Sequence, residues 1–559
     1  MQKLIECVPN FSEGRDKHVI DQIAAAISAC EGVELLDVDP GKATNRTVMT
    51  FVGEPEKVVE AAFQAMKKAQ ELIDMRKHKG EHPRFGATDV CPLVPVSGIG
   101  MDETADWARK LAKRVGEELN YPVFLYESAA SAPHRKNLAN VRAGEYEGLE
   151  AKLRLPDWQP DFGPARFVPE TGTTAIGARD FLVAVNFNLN TTSVRRANAI
   201  SFDVREAGRL LKEKDPVSGE EKEVRIAGTL KAAKAIGWFI EEYGVAQVSM
   251  NLTDIGTTSL HMAFDAVQDS AHARGIRVSG TEIVGMVPLR VLTDAGKYFL
   301  KKQQRSVGVP DSELIKIAVK SMGLDDLSSF DPQQKVIEYK LADKKSGRLV
   351  SMNLVKFSEE VLSESPAPGG GSVAAYIAAC GTALAGMVAN LSSHKRGWDD
   401  RWEYFSDWAE KAEEIRRKLI SAVDADTEAF NRVMEAYGLP KGTEEEKSAR
   451  SAAIQFAQKG AVEIPLQVMS IAASGLPIAL AMVKEGNPNS VTDAGVGAAA
   501  LHCGVYGAYL NVLINLKDLK DKELASSFRI QADKILQESH HLDIEVKELV
   551  FKMISTSMK

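Results

Sequence analysis

The pattern of apolar residues along the sequence changes near residue 330, and this change limits the folds that the chain can adopt. Before this point, short apolar runs alternate with windows of helical periodicity, which is typical of α/β construction. Beyond it, almost every segment has helical period and a high Ala content, which predicts a helical bundle. The sequence therefore predicts a multidomain protein: two α/β subdomains, with mixed sheets and helices, followed by an all-α helical bundle domain.

Two irregular stretches set the predicted domain boundaries. The Pro- and Trp-containing stretch LPDWQPDFGPARFVPETG interrupts the first alternation, and a charged stretch after it lacks apolar periodicity, as linkers do. A chain of 559 residues is also too long for a single core. We expect α/β subdomains at 1–180 and 181–330, a linker at 331–350 and the helical domain at 351–559.

Apolar runs and helical windows predict the elements of the α/β part. The predicted strands are KLIECVPNF, VELLDVD, RTVMTFVG, PVFLYES, DFLVAVNFNLN, VAQVSMNLTD and GIRVSGTEIVG. The predicted helices include 55–74, 103–119, 194–213 and 258–274. The charged stretch LKEKDPVSGEEKEVRIAG (211–228) predicts an extended surface loop between helices.

Charge and cysteine usage exclude some classes of partner and compartment. The net charge is −8 and no long basic segment is present, which argues against a nucleic-acid partner. The N-terminus lacks the basic region and long apolar run of a signal peptide. The five cysteines are dispersed without a C-x-x-C pair, which indicates a reduced, cytoplasmic protein without a thiolate metal site. They are Cys7, Cys30, Cys91, Cys380 and Cys503.

The uncharged segment VAAYIAACGTALAGMVANL (373–391) is long enough to cross a membrane. It consists largely of Ala and Gly, so its transfer into lipid is only modestly favourable and its small side chains allow close helix contacts. We therefore expect 373–391, with the similar segments 464–483 and 495–516, to form three central helices of a bundle rather than membrane spans.

The loop GEHPRFGATDVCP, residues 80–92, places an imidazole and a guanidinium two positions apart between residues that constrain the backbone. Pro83 biases His82 toward extended conformations, while Gly80 and Gly86 permit turns that other residues avoid. Imidazole also has a pKa suited to proton transfer near neutrality. An active-site loop and an ordinary polar turn both fit this pattern.

Two further stretches of the α/β part carry polar groups. Asp37 and Asp39 end a predicted strand in DVDPGKATNRTVMTF, where a carboxylate can orient an imidazole or simply form an Asx-type turn. The loop FGPARFVPETGTTAIGARDF can wrap a flat heterocycle while an Arg binds a carboxylate. It has neither the Walker spacing nor the dinucleotide fingerprint, so nothing supports phosphate binding.

In the helical part, Asp426 falls within an apolar stripe, whereas Asp424 and Glu428 lie about 200° away around the helix. Asp426 is therefore predicted to face inward, where a carboxylate needs either a structural partner or a chemical task. The stretch SPAPGGGSVAAY begins a long helix with three glycines. Their amides predict a site for an anion or a carbonyl group.

Several of these motifs resemble known families. CVPNFSEGRD, GEHPRFGATDVCP, FGPARFVPETG and EIVGMVP resemble the formiminotransferase family, and APGGGSVAA, VDADTEAF, GNPNSVTD and GVYGAYLNVLINL resemble the cyclodeaminase family. Their order is similar to that of the bifunctional formimidoyltransferase-cyclodeaminase family, and the resemblance spans almost the whole chain. It implies that 1–180 and 181–330 are the two formiminotransferase subdomains and that 351–559 is the cyclodeaminase domain.

The resemblance also implies an activity in histidine breakdown. A formimino group is expected to move from formiminoglutamate to polyglutamylated tetrahydrofolate, and ring closure then expels ammonia. The resemblance implies that His82 is the transferase catalytic residue and that Asp426 is the acid of the second site, and Asp39 is our candidate for orienting His82. No metal or redox cofactor is implied. The residues expected to bind folate or substrate carboxylates are Arg84, Gly163, Pro164, Ala165, Arg166, Phe167, Val168, Pro169, Glu170, Thr171, Gly172, Gly369, Gly370, Gly371 and Ser372.

Two alternatives remain open from the sequence. The helical domain can act mainly as a methenyltetrahydrofolate cyclohydrolase, because similar proton transfers serve water addition. The chain can instead be a non-catalytic folate-binding or assembly module in which His82 and Asp426 are structural. The family resemblance further implies a cytoplasmic homo-oligomer assembled from dimers.

Overall fold

The computed structural model separates the chain into an α/β unit and a helical unit. It describes residues 3–214, 221–343 and 349–557. The α/β unit comprises Met1–Ala295 and Ala318–Lys344, and the helical unit comprises Gly296–Ile317 and Lys345–Lys559. Sheets occur in the first unit, and the described part of the second is almost entirely helical, so the predicted fold class is confirmed.

The strands of the α/β unit form two sheets and a hairpin. The strands are β1 (Leu4–Cys7), β2 (Asn10–Phe11), β3 (Val33–Gly41), β4 (Arg46–Gly53), β5 (Thr88–Ser97), β6 (Val123–Glu127), β7 (Thr174–Ala178), β8 (Val183–Leu189), β9 (Arg209–Lys214), β10 (Glu221–Ile226), β11 (Ala233–Ile240), β12 (Val245–Leu252) and β13 (Val278–Val284).

The first sheet is mixed, with β3 at one edge and β6 at the other. β3 pairs antiparallel with β4, and β1 and β2 lie end to end between β4 and β5. β5, β7 and β6 then run parallel to one another. The second sheet has the order β11, β12, β8, β13, and all of its pairings are antiparallel.

The helices of the chain differ greatly in length between the two units. They are α1 (Lys17–Ser28), α2 (Pro55–Leu72), α3 (Met101–Arg114), α4 (Leu138–Arg142), α5 (Leu149–Lys152), α6 (Val194–Val204), α7 (Leu260–His272), α8 (Leu289–Lys302), α9 (Asp311–Met322), α10 (Pro332–Lys335), α11 (Ile337–Asp343), α12 (Leu354–Leu362), α13 (Gly370–Ser393), α14 (Trp402–Gly438), α15 (Glu444–Glu485), α16 (Val491–Leu516) and α17 (Lys522–Ser557). Capping side chains fix where several helices begin. Asp16 caps α1 by accepting a hydrogen bond from the His18 amide at 2.9 Å, and Thr443 and Glu446 form a capping box at the start of α15.

Apolar side chains from the first sheet and its helices form the core of the α/β unit. Its largest fully buried members are aromatic, which removes much apolar area from water per residue. They include Phe11, Phe51, Phe85, Tyr121, Phe124 and Tyr126. This core supports the end of the sheet at which polar residues collect.

The predicted domain boundaries stay a prediction, and in two places the structure groups residues differently from them. Gly296–Ile317 belongs to the helical unit rather than to a subdomain at 181–330. A Cβ on Gly308 would lie 2.1 Å from the Ala409 carbonyl carbon, and Asn390 donates to the Gly308 carbonyl at 2.8 Å, so this segment is packed against the bundle.

The segment expected to be a linker is largely folded. Residues 332–343 form α10 and α11, while 344–348 lie outside the described residues. Val336 and Ile337 are buried, and Val336 pairs with Val287 in a β-bridge. Burial of these two apolar residues anchors a stretch whose charged composition predicted a linker.

The charged stretch 211–228 also differs from the expected loop. Its described residues continue β9 and form β10, which pair antiparallel as a hairpin. Residues 215–220 lie outside the described part of the chain. Lys212, Glu223 and Arg225 are exposed on these strands, and charged side chains suit an exposed strand as well as a loop.

Small residues allow the central helices of the bundle to approach closely. A Cβ on Gly381 of α13 would lie 2.6 Å from the Gly497 carbonyl oxygen, and one on Gly497 of α16 would lie 2.8 Å from the Gly381 oxygen. Larger side chains at these positions would separate the two helices. The close contacts predicted from the Ala- and Gly-rich composition are therefore present.

Three helical segments are long and apolar enough to cross a membrane by length and composition. They are Gly370–Ser393, Glu444–Glu485 and Pro488–Leu516. Within the helical unit, 61%, 56% and 39% of their most apolar windows are buried. That they pack in a bundle instead of spanning a membrane remains a prediction.

Candidate functional site

Neighbouring strands bring polar side chains to one end of the first sheet. β2 pairs with both β4 and β5, so Phe11 lies opposite Thr47 on one side and Thr88 on the other. Arg46 directly precedes Thr47, and Asp89 directly follows Thr88. Strand pairing therefore brings Arg46 and Asp89 together although 43 positions separate them.

The Arg46 guanidinium is the centre of this polar cluster. Its Nε donates to Asn10 Oδ1 at 2.8 Å, its Nη2 pairs with the fully buried Asp89, and its Nη1 lies 2.6 Å from His82 Nδ1. Arg142, the last residue of α4, donates to the other Asp89 oxygen at 3.1 Å. His82 is thus held at the rim of a buried ion-pair network.

The electrostatics of the cluster keep His82 neutral. Burial, followed by repulsion from Arg46 and Arg142, lowers the pKa of His82 to about 3. Burial opposes ionisation of Asp89, but Arg46 and Arg142 outweigh it and leave the pKa of Asp89 below its usual value. Two guanidiniums, one carboxylate and one neutral imidazole carry one net positive charge, which suits an anionic ligand.

The two nitrogens of the His82 ring have different surroundings. Nδ1 lies 2.6 Å from Arg46 Nη1, which can only donate, and 2.8 Å from the Pro83 carbonyl oxygen, which can only accept. Either tautomer therefore finds a partner at Nδ1. Nε2 makes no hydrogen bond with the described part of the chain, and His82 is half-buried, so Nε2 is the atom that can meet a substrate.

Backbone contacts, rather than unusual turns, explain the two glycines of the His82 loop. Neither Gly80 nor Gly86 has a positive φ. A Cβ on Gly80 would lie 2.1 Å from the Thr44 carbonyl oxygen, and one on Gly86 would lie 1.9 Å from that of Thr173. Gly86 also pairs with Gly172 in an antiparallel bridge, which joins the His82 loop to the predicted folate segment.

Arg84, whose binding of a ligand carboxylate stays a prediction, makes several contacts within the chain. Its guanidinium donates to Glu147 at 2.9 Å, to the Met75 carbonyl at 2.8 Å and to the His78 carbonyl. It also lies over the Tyr146 ring, 4.4 Å from the centroid. These contacts use the guanidinium to hold the loop together.

The structure also corrects the expected position of Asp39. β3 continues past it to Gly41, so Asp39 lies within an edge strand rather than at its end. Its Oδ2 accepts a hydrogen bond from the Gly285 amide at 2.7 Å and lies 3.7 Å from Lys335 Nζ. The carboxylate of the His82 cluster is Asp89.

The predicted folate segment, 163–172, is a well-anchored loop with an exposed tip. Phe167 packs against Tyr146 with ring centroids 5.3 Å apart, and the Tyr146 hydroxyl donates to the Pro169 carbonyl at 2.6 Å. Arg166 is exposed and has no ionic partner among the described residues. Arg166 is therefore the member of this segment that can reach a ligand carboxylate.

A second candidate site lies where α13 begins beside α14. Gly369 caps α13, and Ser372 Oγ lies 3.1 Å from Asp426 Oδ2 and 2.8 Å from the Val423 carbonyl oxygen. Burial raises the pKa of Asp426, although hydrogen bonds from the Ser372 hydroxyl and amide oppose the shift. No nitrogen of a described Lys, Arg or His forms an ion pair with Asp426.

The glycine run permits this close approach. A Cβ on Gly371 would lie 2.2 Å from Asp426 Oδ1, whereas one on Gly370 would lie 3.4 Å from Asn511 Nδ2. The start of α13 and the Asp426 carboxylate are therefore in direct contact at Gly371. A half-buried acid at a helix N-terminus without a neighbouring cation can hold a proton and transfer it.

Sequence reasoning missed the polar residues that surround His82. Asp89 lay within the quoted loop without a role, and Arg46 lay in the quoted turn, but their strand pairing was not foreseen. Arg142 carries no local signal, since it ends a five-residue helix in an irregular stretch.

Family descriptions match most of the chain. "Formiminotransferase domain, N-terminal subdomain" matches residues 4–179, "Formiminotransferase domain" matches 184–342, and "Formiminotransferase-cyclodeaminase" matches 353–534. The formimidoyltransferase-cyclodeaminase of Rattus norvegicus is 44% identical over 540 residues, covering 96% of this chain and 97% of the relative.

Relatives of each part are also found separately. The glutamate formimidoyltransferase of Streptococcus pyogenes is 42% identical and covers 54% of this chain and 94% of the relative. The methenyltetrahydrofolate cyclohydrolase of Methylorubrum extorquens is 38% identical over 194 residues, covering 35% of this chain and 93% of the relative.

Proposed function

Because the chain belongs to the formimidoyltransferase-cyclodeaminase family, we infer that it catalyses two consecutive steps on tetrahydrofolate. In the first step, the formimino group moves from N-formimino-L-glutamate to N5 of tetrahydrofolate and glutamate is released. In the second step, N10 attacks the formimino carbon, ammonia is expelled and 5,10-methenyltetrahydrofolate remains. The chain is thus a transferase and a lyase of histidine degradation, with tetrahydrofolate as co-substrate.

We propose that His82 moves the proton of the first step. N5 adds to the formimino carbon and must lose its proton, while the departing glutamate nitrogen must gain one. Nε2 of the neutral imidazole can accept the first proton and deliver it to the leaving group. The observation that supports this role is the neutral His82, whose free nitrogen lies beside a cluster with one net positive charge.

The same cluster explains how His82 can become basic enough. A pKa of about 3 makes the free imidazole a weak base but its protonated form a strong acid. A substrate carboxylate that binds near Arg46 and Arg142 offsets their charge and raises the pKa of His82 in the complex. The Arg142 guanidinium keeps unused donor capacity, since its buried Nε has no hydrogen-bond partner among the described residues.

We propose that Asp426 supplies the proton of the second step. Formiminotetrahydrofolate consumes one proton as it yields methenyltetrahydrofolate and ammonia, because the departing nitrogen leaves only when protonated. A carboxyl group whose pKa is raised by burial, with no cation paired to it among the described residues, keeps its proton to a higher pH than an exposed carboxyl group and can deliver it to the departing nitrogen. The Ser372 hydroxyl and amide then stabilise the carboxylate that remains.

Two glycines of the helical unit provide a steric test of the second site. Gly371→Ala would place a methyl group 2.2 Å from the Asp426 carboxylate, so we expect ring closure to slow by at least about tenfold, as small misplacements do. Gly460→Ala on α15 is the control, because no atom outside its own helix backbone lies within 4 Å of the added methyl group. Ammonia release from supplied formiminotetrahydrofolate measures both. Equal rates in the two variants would contradict the role of this contact.

The whole proposal is tested with the intact chain. Given formiminoglutamate and tetrahydrofolate, it should release glutamate and ammonia and form methenyltetrahydrofolate in equal amounts. Release of glutamate without release of ammonia would support only the transferase activity. If neither product formed, the result would support the alternative that the chain is a non-catalytic module.

The cyclohydrolase relative motivates a second candidate activity for the helical part alone. It covers 35% of this chain, whereas the bifunctional relative covers 96%. Ring closure with loss of ammonia is therefore the better supported activity. Conversion of supplied methenyltetrahydrofolate to 10-formyltetrahydrofolate, without ammonia release from the formimino form, would reverse this choice.

We further propose a cytoplasmic homo-oligomer assembled from dimers that acts on polyglutamylated folate. The five cysteines are all free thiols, which fits a reducing compartment. Tyr506, Leu510 and Ile514 are large, exposed and spaced four apart on α16, so they form one apolar stripe. A stripe of this kind supports contact between copies of the chain.

A further inference from the structure

Three potential metal ligands lie together on α16 and α17 and share no residue with either candidate active site. They are His502, His540 and Asp543, and their ligand atoms all lie within 4.8 Å of one another. His540 and Asp543 are three positions apart and therefore project from one face of α17. The rings of His502 and His540 have centroids 5.4 Å apart.

The Asp543 carboxylate has an unsatisfied oxygen in this cluster. Asp543 is 1% exposed, and its Oδ1 is buried with no hydrogen-bond partner among the described residues. Its Oδ2 accepts from Lys547 Nζ at 2.6 Å. Leaving a buried carboxylate oxygen unpaired is unfavourable, so Oδ1 is suited to bind a cation.

The His502 ring is already oriented for metal binding. Its Nδ1 lies 2.8 Å from the Oγ of Ser539, which is itself 1% exposed. A hydrogen bond at one ring nitrogen fixes the plane of the imidazole and leaves the other nitrogen as the ligand atom, as around known metal sites. His540 is exposed, so its side chain can move and the site can admit water.

We propose that His502, His540 and Asp543 bind a Zn²⁺ ion, with water completing its coordination. Two imidazoles, one carboxylate and one water form a common ligand set for zinc at an open site. Bonds of about 2.0–2.1 Å place tetrahedral ligands roughly 3.3 Å apart, closer than the present spacing. His540 is exposed, so its side chain can move toward the other two ligand atoms as the ion binds.

The test uses the intact chain, treated with a chelator, dialysed and titrated with zinc chloride alone in a calorimeter. One ion should bind per chain. His540→Ala should weaken binding by about tenfold or more, since even the loss of an outer contact has effects of this size. Because His540 is exposed, this variant should fold normally. Asp543→Asn should weaken binding similarly.

The matched control is His541→Ala, which removes an exposed histidine one position along the same helix. It should leave zinc affinity unchanged. Substitution of cobalt for zinc gives a second measurement: the visible absorption of tetrahedral Co²⁺ should appear in the parent and in His541→Ala, and should be lost in His540→Ala. Absence of binding at one equivalent, or equal weakening by His540→Ala and His541→Ala, would overturn the site.

Discussion

His82→Ala is expected to lower the transferase rate by about 10²–10⁴-fold, the usual contribution of a positioned acid–base group. The variant removes the imidazole that contacts Arg46, so neither the N5 proton nor the proton for departing glutamate has its proposed carrier. Glutamate release from formiminoglutamate and tetrahydrofolate is the measurement. Ring closure of supplied formiminotetrahydrofolate should continue at the rate of the parent chain, which also shows that the variant is folded.

His18→Ala is the control for the transferase step, because His18 is an exposed histidine in the same unit. It should leave both steps unchanged. A pH profile tests the low pKa of His82 in the free enzyme. The pKa of about 3 keeps His82 unprotonated in the free enzyme at pH 5 and above, so kcat/KM should show no acid limb near 6.5 from this residue. Transferase activity in His82→Ala equal to that of His18→Ala would eliminate His82 as the proton carrier.

Asp426→Asn is expected to slow ring closure by about 10²–10⁴-fold and to leave the transferase intact. An amide keeps the shape and the Ser372 contacts of the side chain but cannot deliver a proton to departing ammonia. Formation of methenyltetrahydrofolate from supplied formiminotetrahydrofolate measures the loss. In the parent chain the rate should fall as pH rises through the raised pKa of Asp426, since the protonated acid is the active form.

Glu428→Gln is the control for Asp426, since Glu428 is exposed on the same helix. It makes the same chemical change two positions away and should leave the rate of ring closure unchanged. If Glu428→Gln slows ring closure as much as Asp426→Asn, a general effect of helix charge explains the result instead of proton delivery by one carboxyl group.

Much of the fold follows from periodicity. The alternation before residue 330 and the Ala-rich helical period after it each reflect which faces must be buried, and both predictions are confirmed. The predicted strand RTVMTFVG is β4, residue for residue, and the window 55–74 contains α2. These segments are regular because core contacts repeat along them.

β5 shows where periodicity fails. Its sequence contains Pro92 and Pro95, which lack amide donors and normally argue against a central strand. Its first residues were assigned to the polar loop. The strand is nevertheless central, because β1, β2 and β7 all pair with it. Its remaining amides and carbonyls form enough hydrogen bonds to hold these neighbours. Such tolerance depends on the neighbours and cannot be read locally.

The candidate sites likewise combine residues that local sequence predicts with residues that it does not. His82 and Asp426 stand out from local sequence, one by its constrained loop and the other by its place on a helix. The partners of His82 do not, because Asp89 reaches Arg46 only through strand register. Asp39 had an equally good local pattern but lies on the edge strand, where its partners are Gly285 and Lys335.

Two separate proton carriers on one chain require that the two steps can be uncoupled. The most direct measurement follows glutamate and ammonia together as Asp426→Asn converts formiminoglutamate and tetrahydrofolate. Glutamate should appear at the rate of the parent chain, while ammonia falls by about 10²-fold or more and formiminotetrahydrofolate accumulates. A parallel loss of glutamate and ammonia in the folded variant would contradict two independent centres.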